Sequence, residues 1–250
     1  MNGYNPFTLE GKTVLITGAS SGIGKTTALE CSRMSAKLII SGRNQIRLQD
    51  TFNQLNGDGH QMIKADLNEE EDIKNLVEQL PKEINGIVLC AGISMTIPLQ
   101  FCSREKLQNT FDTNFFAQVE LIRLLLKKKK LKKGTSIVFV SSIGGVTTFN
   151  PGTASYGASK AAINSFMKFC AKELANRKIR ANSVNPGVVH TPLADNGAFS
   201  QEQRDKDLLN YPLGRYGETE DIAHAIIYLL SDAASWVTGQ SLIIDGGYSI

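Results

Sequence analysis

The chain has 250 residues, with 42% hydrophobic and 20% charged content and a formal net charge of +3. That suits a folded protein with a sizeable core, and the charge is too small to point to nucleic acid. The four cysteines, Cys31, Cys90, Cys102 and Cys170, are scattered without a Cys-x-x-Cys; with only three histidines, they argue against a zinc site and suit a reducing compartment.

Residues 1–10 hold no basic region followed by an apolar run, and no apolar stretch is long enough to span a bilayer. The expectation is a cytoplasmic protein with no membrane partner.

Thr13–Thr17 is an apolar, β-branched run ending at a glycine and reads as a buried strand. Residues 22–34 have helical character. Further strands are expected over 37–41, 61–65, 86–90, 136–141, 180–185 and 241–244. Helices are expected over 45–55, 69–80, 154–175 and 220–230, with one long amphipathic helix over 104–130. Strand and helix alternate, and the strands are nearly all apolar. The pattern predicts one α/β domain over 1–250, a doubly wound parallel sheet with helices on both faces. Lys127-Lys128-Lys129-Lys130-Leu131-Lys132-Lys133 reads as a solvated helix end, with a docking surface for an acidic partner as the alternative.

Thr17-Gly18-Ala19-Ser20-Ser21-Gly22-Ile23-Gly24 lies between the first strand and the first helix. A doubly wound fold receives a dinucleotide pyrophosphate there. Glycines let the backbone approach the phosphates, and the helix amides and dipole favour the anion. Farther on, Tyr156 and Lys160 stand one helical turn apart, on one face. A nearby ammonium is expected to favour the phenolate and lower the tyrosine pKa from its reference of about 10.

These motifs occur in order with Asp66-Leu67, Ala91-Gly92, Asn114, Ser142, Tyr156-Gly157-Ala158-Ser159-Lys160, Asn185-Pro186-Gly187, Gly239 and Asp245-Gly246-Gly247. Together they resemble the short-chain dehydrogenase/reductase family, over residues 9–248. The resemblance implies a Rossmann-type sheet of about seven strands. It also implies hydride transfer between NAD or NADP and a small-molecule carbonyl or alcohol, by a homotetramer or homodimer. The activity expected is reduction of a ketone, of the 3-oxoacyl-thioester kind or another carbonyl. An alcohol or sugar dehydrogenase working oxidatively, and a cofactor-binding protein without turnover, are the alternatives.

Carried over by the resemblance, Tyr156 is the acid/base. Lys160 tunes it and holds the nicotinamide ribose. Ser142 binds the substrate oxygen, with Ser141 as the fallback. Asn114 supports a water in a proton relay. Gly18, Ser20, Ser21, Gly22, Ile23 and Gly24 hold the phosphates. Ala91 and Gly92 allow close approach, and Pro186, Gly187, Val189 and Thr191 hold the carboxamide. Asp66 and Leu67 meet the adenine, or Asp66 is an ordinary helix N-cap.

NAD-preferring members carry an acid where this chain has Gly42. Arg43 follows it, and a guanidinium suits the extra phosphate of NADP. NADP(H) is the expected cofactor, with NAD(H) as the alternative. Ser21 lacks the second positive charge that many NADP-using relatives carry there.

Where relatives have Asn-Asn-Ala-Gly, this chain has Leu89-Cys90-Ala91-Gly92, which leaves scaffold hydrogen bonds unaccounted for. Cys90 reads as buried rather than nucleophilic. His190 falls in a cofactor-contact loop, against a catalytic role. A one-residue insertion is expected around Phe149-Asn150-Pro151. Segment 193–217 should cover the substrate. Phe199, Leu208 and Leu209 are expected to close over it, and Met95, Ile97 and Phe149 to line the opposite wall. The region from Trp236 to Gly247 matches the part relatives use for subunit contacts.

Overall fold

Val14, Leu15 and Ile16 are all fully buried, although successive strand residues face opposite sides of a sheet. Both faces must therefore be covered. The computed structural model, which describes residues 4–194 and 200–250, shows how. Strands β1 (Thr13–Thr17), β2 (Lys37–Gly42), β3 (Gln61–Lys64), β4 (Ile84–Leu89), β5 (Leu131–Val140), β6 (Arg180–Pro186) and β7 (Ser241–Ile244) form one parallel sheet. Its order is β3-β2-β1-β4-β5-β6-β7. The helices are α1 (Gly22–Arg33), α2 (Gln45–Asn53), α3 (Glu70–Gln79), α4 (Arg104–Phe111), α5 (Ala117–Lys127), α6 (Ala154–Glu173), α7 (Gln201–Leu208) and α8 (Thr219–Leu230).

Alternate residues of each strand feed two separate cores. Leu15, Ile87, Ile137 and Phe139 pack with Leu121 and Leu125 of α5 and with Ile163 and Met167 of α6. Val14, Ile16, Val88 and Val138 pack with Ala28 of α1 and with Ile222 and Ile226 of α8. The strand order reverses between β1 and β4. The crossovers leave on opposite faces there and open a crevice at the carboxyl ends of the strands.

The long helix expected over 104–130 is interrupted. A π-helical turn, Asp112–Phe116, separates α4 from α5. Aromatic packing holds it: Phe115 meets Phe166 of α6 edge-on at 6.2 Å, and Phe166 meets Phe139 of β5 at 6.3 Å. The lysine run is a solvated helix end at Lys127, Lys128 and Lys129, as expected, but it differs in running on into a strand. α5 stops at Lys127, Lys129 takes a left-handed turn with φ 54°, and β5 starts at Leu131. Lys130 Nζ donates to the carbonyls of Leu80 and Pro81, at 2.7 and 3.2 Å. A third difference is α7, which the polar segment did not suggest. It starts with a Ser200–Gln203 capping box.

Candidate active site

The first turn of α1 is built to receive an anion. Ser21 is the N-cap but its side chain makes no capping bond, and no acidic residue lies in the turn. Its orphan amides are thus left for a ligand. Gly18 precedes it at φ 67°, and a Cβ there would lie 2.8 Å from the Ala91 nitrogen, so only glycine fits. Thr191 closes the turn from above: a Cβ at Gly22 would lie 3.2 Å from its methyl carbon.

The scaffold bonds left open by Leu89-Cys90-Ala91-Gly92 come from elsewhere. Thr17 Oγ1 accepts from the amides of Cys90 and Ala91, at 3.2 and 3.4 Å. The fully buried Gln118 donates to the Ala91 carbonyl at 3.0 Å.

At the end of β5, Ser141 and Ser142 divide their work. Ser141 is buried and donates to the Lys160 carbonyl at 2.9 Å. A Cβ on Gly145 would sit 2.6 Å from the Ala161 nitrogen, so this turn lies directly against α6. Ser142 thereby faces Tyr156. Lys160 is buried, and its ammonium donates to the Val140 carbonyl at 2.8 Å. It stands 5.7 Å from the centre of the Tyr156 ring.

The expected lowering of the tyrosine pKa does not hold here. Burial raises the Tyr156 phenol above its ordinary value; Ser142 opposes the rise, and Cys90 adds to it. Burial also lowers Lys160 to about 8, which weakens the charge meant to act on the phenol. The Cys90 thiol is raised to about 11 by burial, with Lys160 opposing, so it is a neutral thiol at physiological pH and no ready nucleophile.

Asn114 sits in the π-helical turn and is fully buried. It donates to the Ile93 carbonyl and to Ser159 Oγ, at 2.9 and 3.0 Å, and accepts from the Ile93 amide at 2.8 Å. A Cβ at Gly92 would lie 3.2 Å from Asn114 Oδ1 and 3.3 Å from Lys160 Nζ, so the two side chains converge there.

Every catalytic and cofactor-contact residue expected from sequence, except Asn114, lines one cleft of about 830 Å³. Asn114 stands behind it, between Ile93 and Ser159. Asp66 accepts from the Asn68 amide at 3.1 Å, but the N-cap of α3 is Glu69, so Asp66 is not that cap. His190 is exposed, edge-on to Tyr216.

The covering segment needs correction. Phe199 lies outside the described residues. Leu209 is 87% exposed, and α7 turns Gln203, Lys206 and Asp207 toward the cleft. On the opposite wall Ser94 and Thr96 line the cleft in place of Met95 and Ile97, and Phe149 is 84% exposed. Arg47, Ser41 and Tyr248 also line it and were missed; only Arg47, four residues after Arg43, left a signal in the sequence.

The lysine run stands at the opposite end of β5 from this cleft. The length of the strand between them removes it from the site.

Comparisons with known proteins agree with this geometry. A family model described as enoyl-(acyl carrier protein) reductase matches residues 18–249. The 3-oxoacyl-[acyl-carrier-protein] reductase FabG of Rickettsia felis is 36% identical over 239 residues, 96% of this chain and 97% of that protein. The enzyme named FabG in Thermotoga maritima is 35% identical, covering 97% of this chain and 99% of its own. A structure of a short-chain type dehydrogenase/reductase from Mycobacterium ulcerans superposes with a TM-score of 0.88 at 30% identity, covering 97% of this chain and 91% of that one. The chain therefore belongs to the short-chain dehydrogenase/reductase family, as an NAD(P)-dependent oxidoreductase acting on carbonyl or hydroxyl groups.

The lowered Lys160 pKa gives a pH dependence. Carbonyl reduction consumes a proton, and a relay through Lys160 would need its protonated form. The kcat/KM for reduction is expected to fall as pH rises through about 8. A profile flat to about pH 10, the reference value of an unperturbed lysine, would contradict this.

Proposed function

We propose that the protein is a cytoplasmic, NADP(H)-dependent ketoreductase that reduces a 3-oxoacyl thioester or a related ketone to a secondary alcohol. The observation that carries this reading is the meeting of Ser142, Tyr156 and Lys160 at the end of β5, in the cleft that also holds the open α1 terminus. When bound, the nicotinamide supplies the hydride. Ser142 donates to the substrate carbonyl oxygen and favours charge developing there. Tyr156 gives that oxygen its proton. Lys160 supports the phenolate left behind and returns a proton to it. Asn114 holds the Ile93 backbone beside Lys160 and supports the relay.

The raised Tyr156 pKa favours the reductive direction. A phenol that keeps its proton through neutral pH suits an acid better than a base. The polar cleft face of α7 suits a substrate with a polar arm better than a wholly apolar one. Segment 193–217 would cover it, as a lid does. The names of the relatives support the 3-oxoacyl class, whereas the matching family model's description points to an enoyl bond.

The reading also includes a homotetramer. Trp236 is 99% exposed, Leu242 and Ile243 lie partly exposed on the edge strand β7, and Phe169 lies exposed on α6. An open apolar edge of this kind is commonly covered by another subunit.

Two experiments test these claims. Purified enzyme should oxidise NADPH with a 3-oxoacyl thioester, faster than with NADH and faster than with the matching enoyl thioester. Tyr156→Phe should lower kcat by about 100-fold or more. A variant that keeps the wild-type rate, or a wild type that binds NADPH and reduces no carbonyl, overturns the mechanism. Sedimentation at assay concentration should show a four-chain species; monomer alone refutes the tetramer.

A further inference from the structure

Two arginines, four residues apart, line the cleft where β2 ends. Arg43 follows β2, and Arg47 lies in the first turn of α2. Both are exposed and both line the cleft. Among the described residues, neither has an ion pair or a side-chain hydrogen bond. The acid nearest in sequence, Asp50 on α2, is taken by Lys25 at 2.7 Å.

The backbone presets this pair. Asn44 is the N-cap of α2, and its side chain accepts from the Arg47 amide at 3.0 Å. That fixes the first turn. Helical side chains lean toward the N-terminus, so Arg47 reaches back over the turn from which Arg43 projects. Two hydroxyls adjoin them. Ser41 is buried and lines the cleft, yet its Oγ has no hydrogen-bond partner. A Cβ at Gly42 would lie 3.3 Å from Ser20 Oγ, which places that hydroxyl over the end of β2.

The geometry points to Arg47 as a second phosphate-binding guanidinium, which grips with Arg43 the monoester phosphate on the adenosine ribose. The inference rests on the NADP(H) reading. A phosphate monoester carries nearly two negative charges at neutral pH. Arg43 alone offsets half of that charge, and Ser21 in the glycine-rich turn adds none. Arg47 supplies the missing cation from a different element, with a planar fork suited to phosphate oxygens.

The test compares two small probes by calorimetry: 2′,5′-ADP, which carries this phosphate, and 5′-AMP, which lacks it. The proteins are the wild type, Arg43→Ala and Arg47→Ala. Alanine keeps the helix and the backbone cap, and an unchanged thermal midpoint confirms the fold. Arg47→Ala should weaken 2′,5′-ADP by about tenfold or more and leave 5′-AMP unchanged. It should also flatten the salt dependence of 2′,5′-ADP binding. If Arg43→Ala loses the discrimination and Arg47→Ala keeps it, the role of Arg47 is wrong and the NADP(H) reading stands. If the wild type binds both probes equally, both fall together.

Discussion

The bond from the Lys160 ammonium to the Val140 carbonyl is the point on which the candidate site depends. It joins the end of β5 to the face of α6 that carries Tyr156. Burying an ammonium is costly unless it is hydrogen-bonded, and this one keeps a partner while its affinity for the proton falls. The Ser141 hydroxyl bonds the Lys160 carbonyl from the same strand end, so β5 holds both ends of the residue. Gly145 lets the intervening turn lie against α6 and brings Ser142 to the phenol. The position of each group is thus set by a neighbour with a separate structural reason to be there.

The wider fold serves this junction. Two apolar cores cover the faces of the sheet, and the crevice opens at the carboxyl ends of its strands. The reversal of strand order puts the glycine-rich turn before α1 beside the end of β4, and β5 is next to β4. Phe139, Phe166 and Phe115 link β5, α6 and the π-helical turn, so Asn114 is fixed by the packing that also fixes α6.

The regular elements were legible because apolar runs and their punctuation are local signals. Strand β1, the α1 turn and the Tyr156–Lys160 face all follow from residues a few positions apart. Three features were hidden because their causes lie far away in sequence. The π-helical turn depends on Phe115 meeting α6. The pKa of Tyr156 depends on burial, and a helical wheel shows proximity to Lys160 but no dielectric. The cleft wall depends on loop alternation, which turned Ser94 and Thr96 inward instead of Met95 and Ile97. α7 was missed for another reason: it is a polar helix with no apolar stripe to read.

We propose that Lys160 serves the proton and the cofactor together, whereas Tyr156 serves the proton alone. Fluorescence titration of NADPH into Lys160→Met and Tyr156→Phe separates the two roles. The predicted result is that the lysine variant loses about tenfold or more in NADPH affinity and the tyrosine variant binds as the wild type does. Equal affinity in both variants would contradict it.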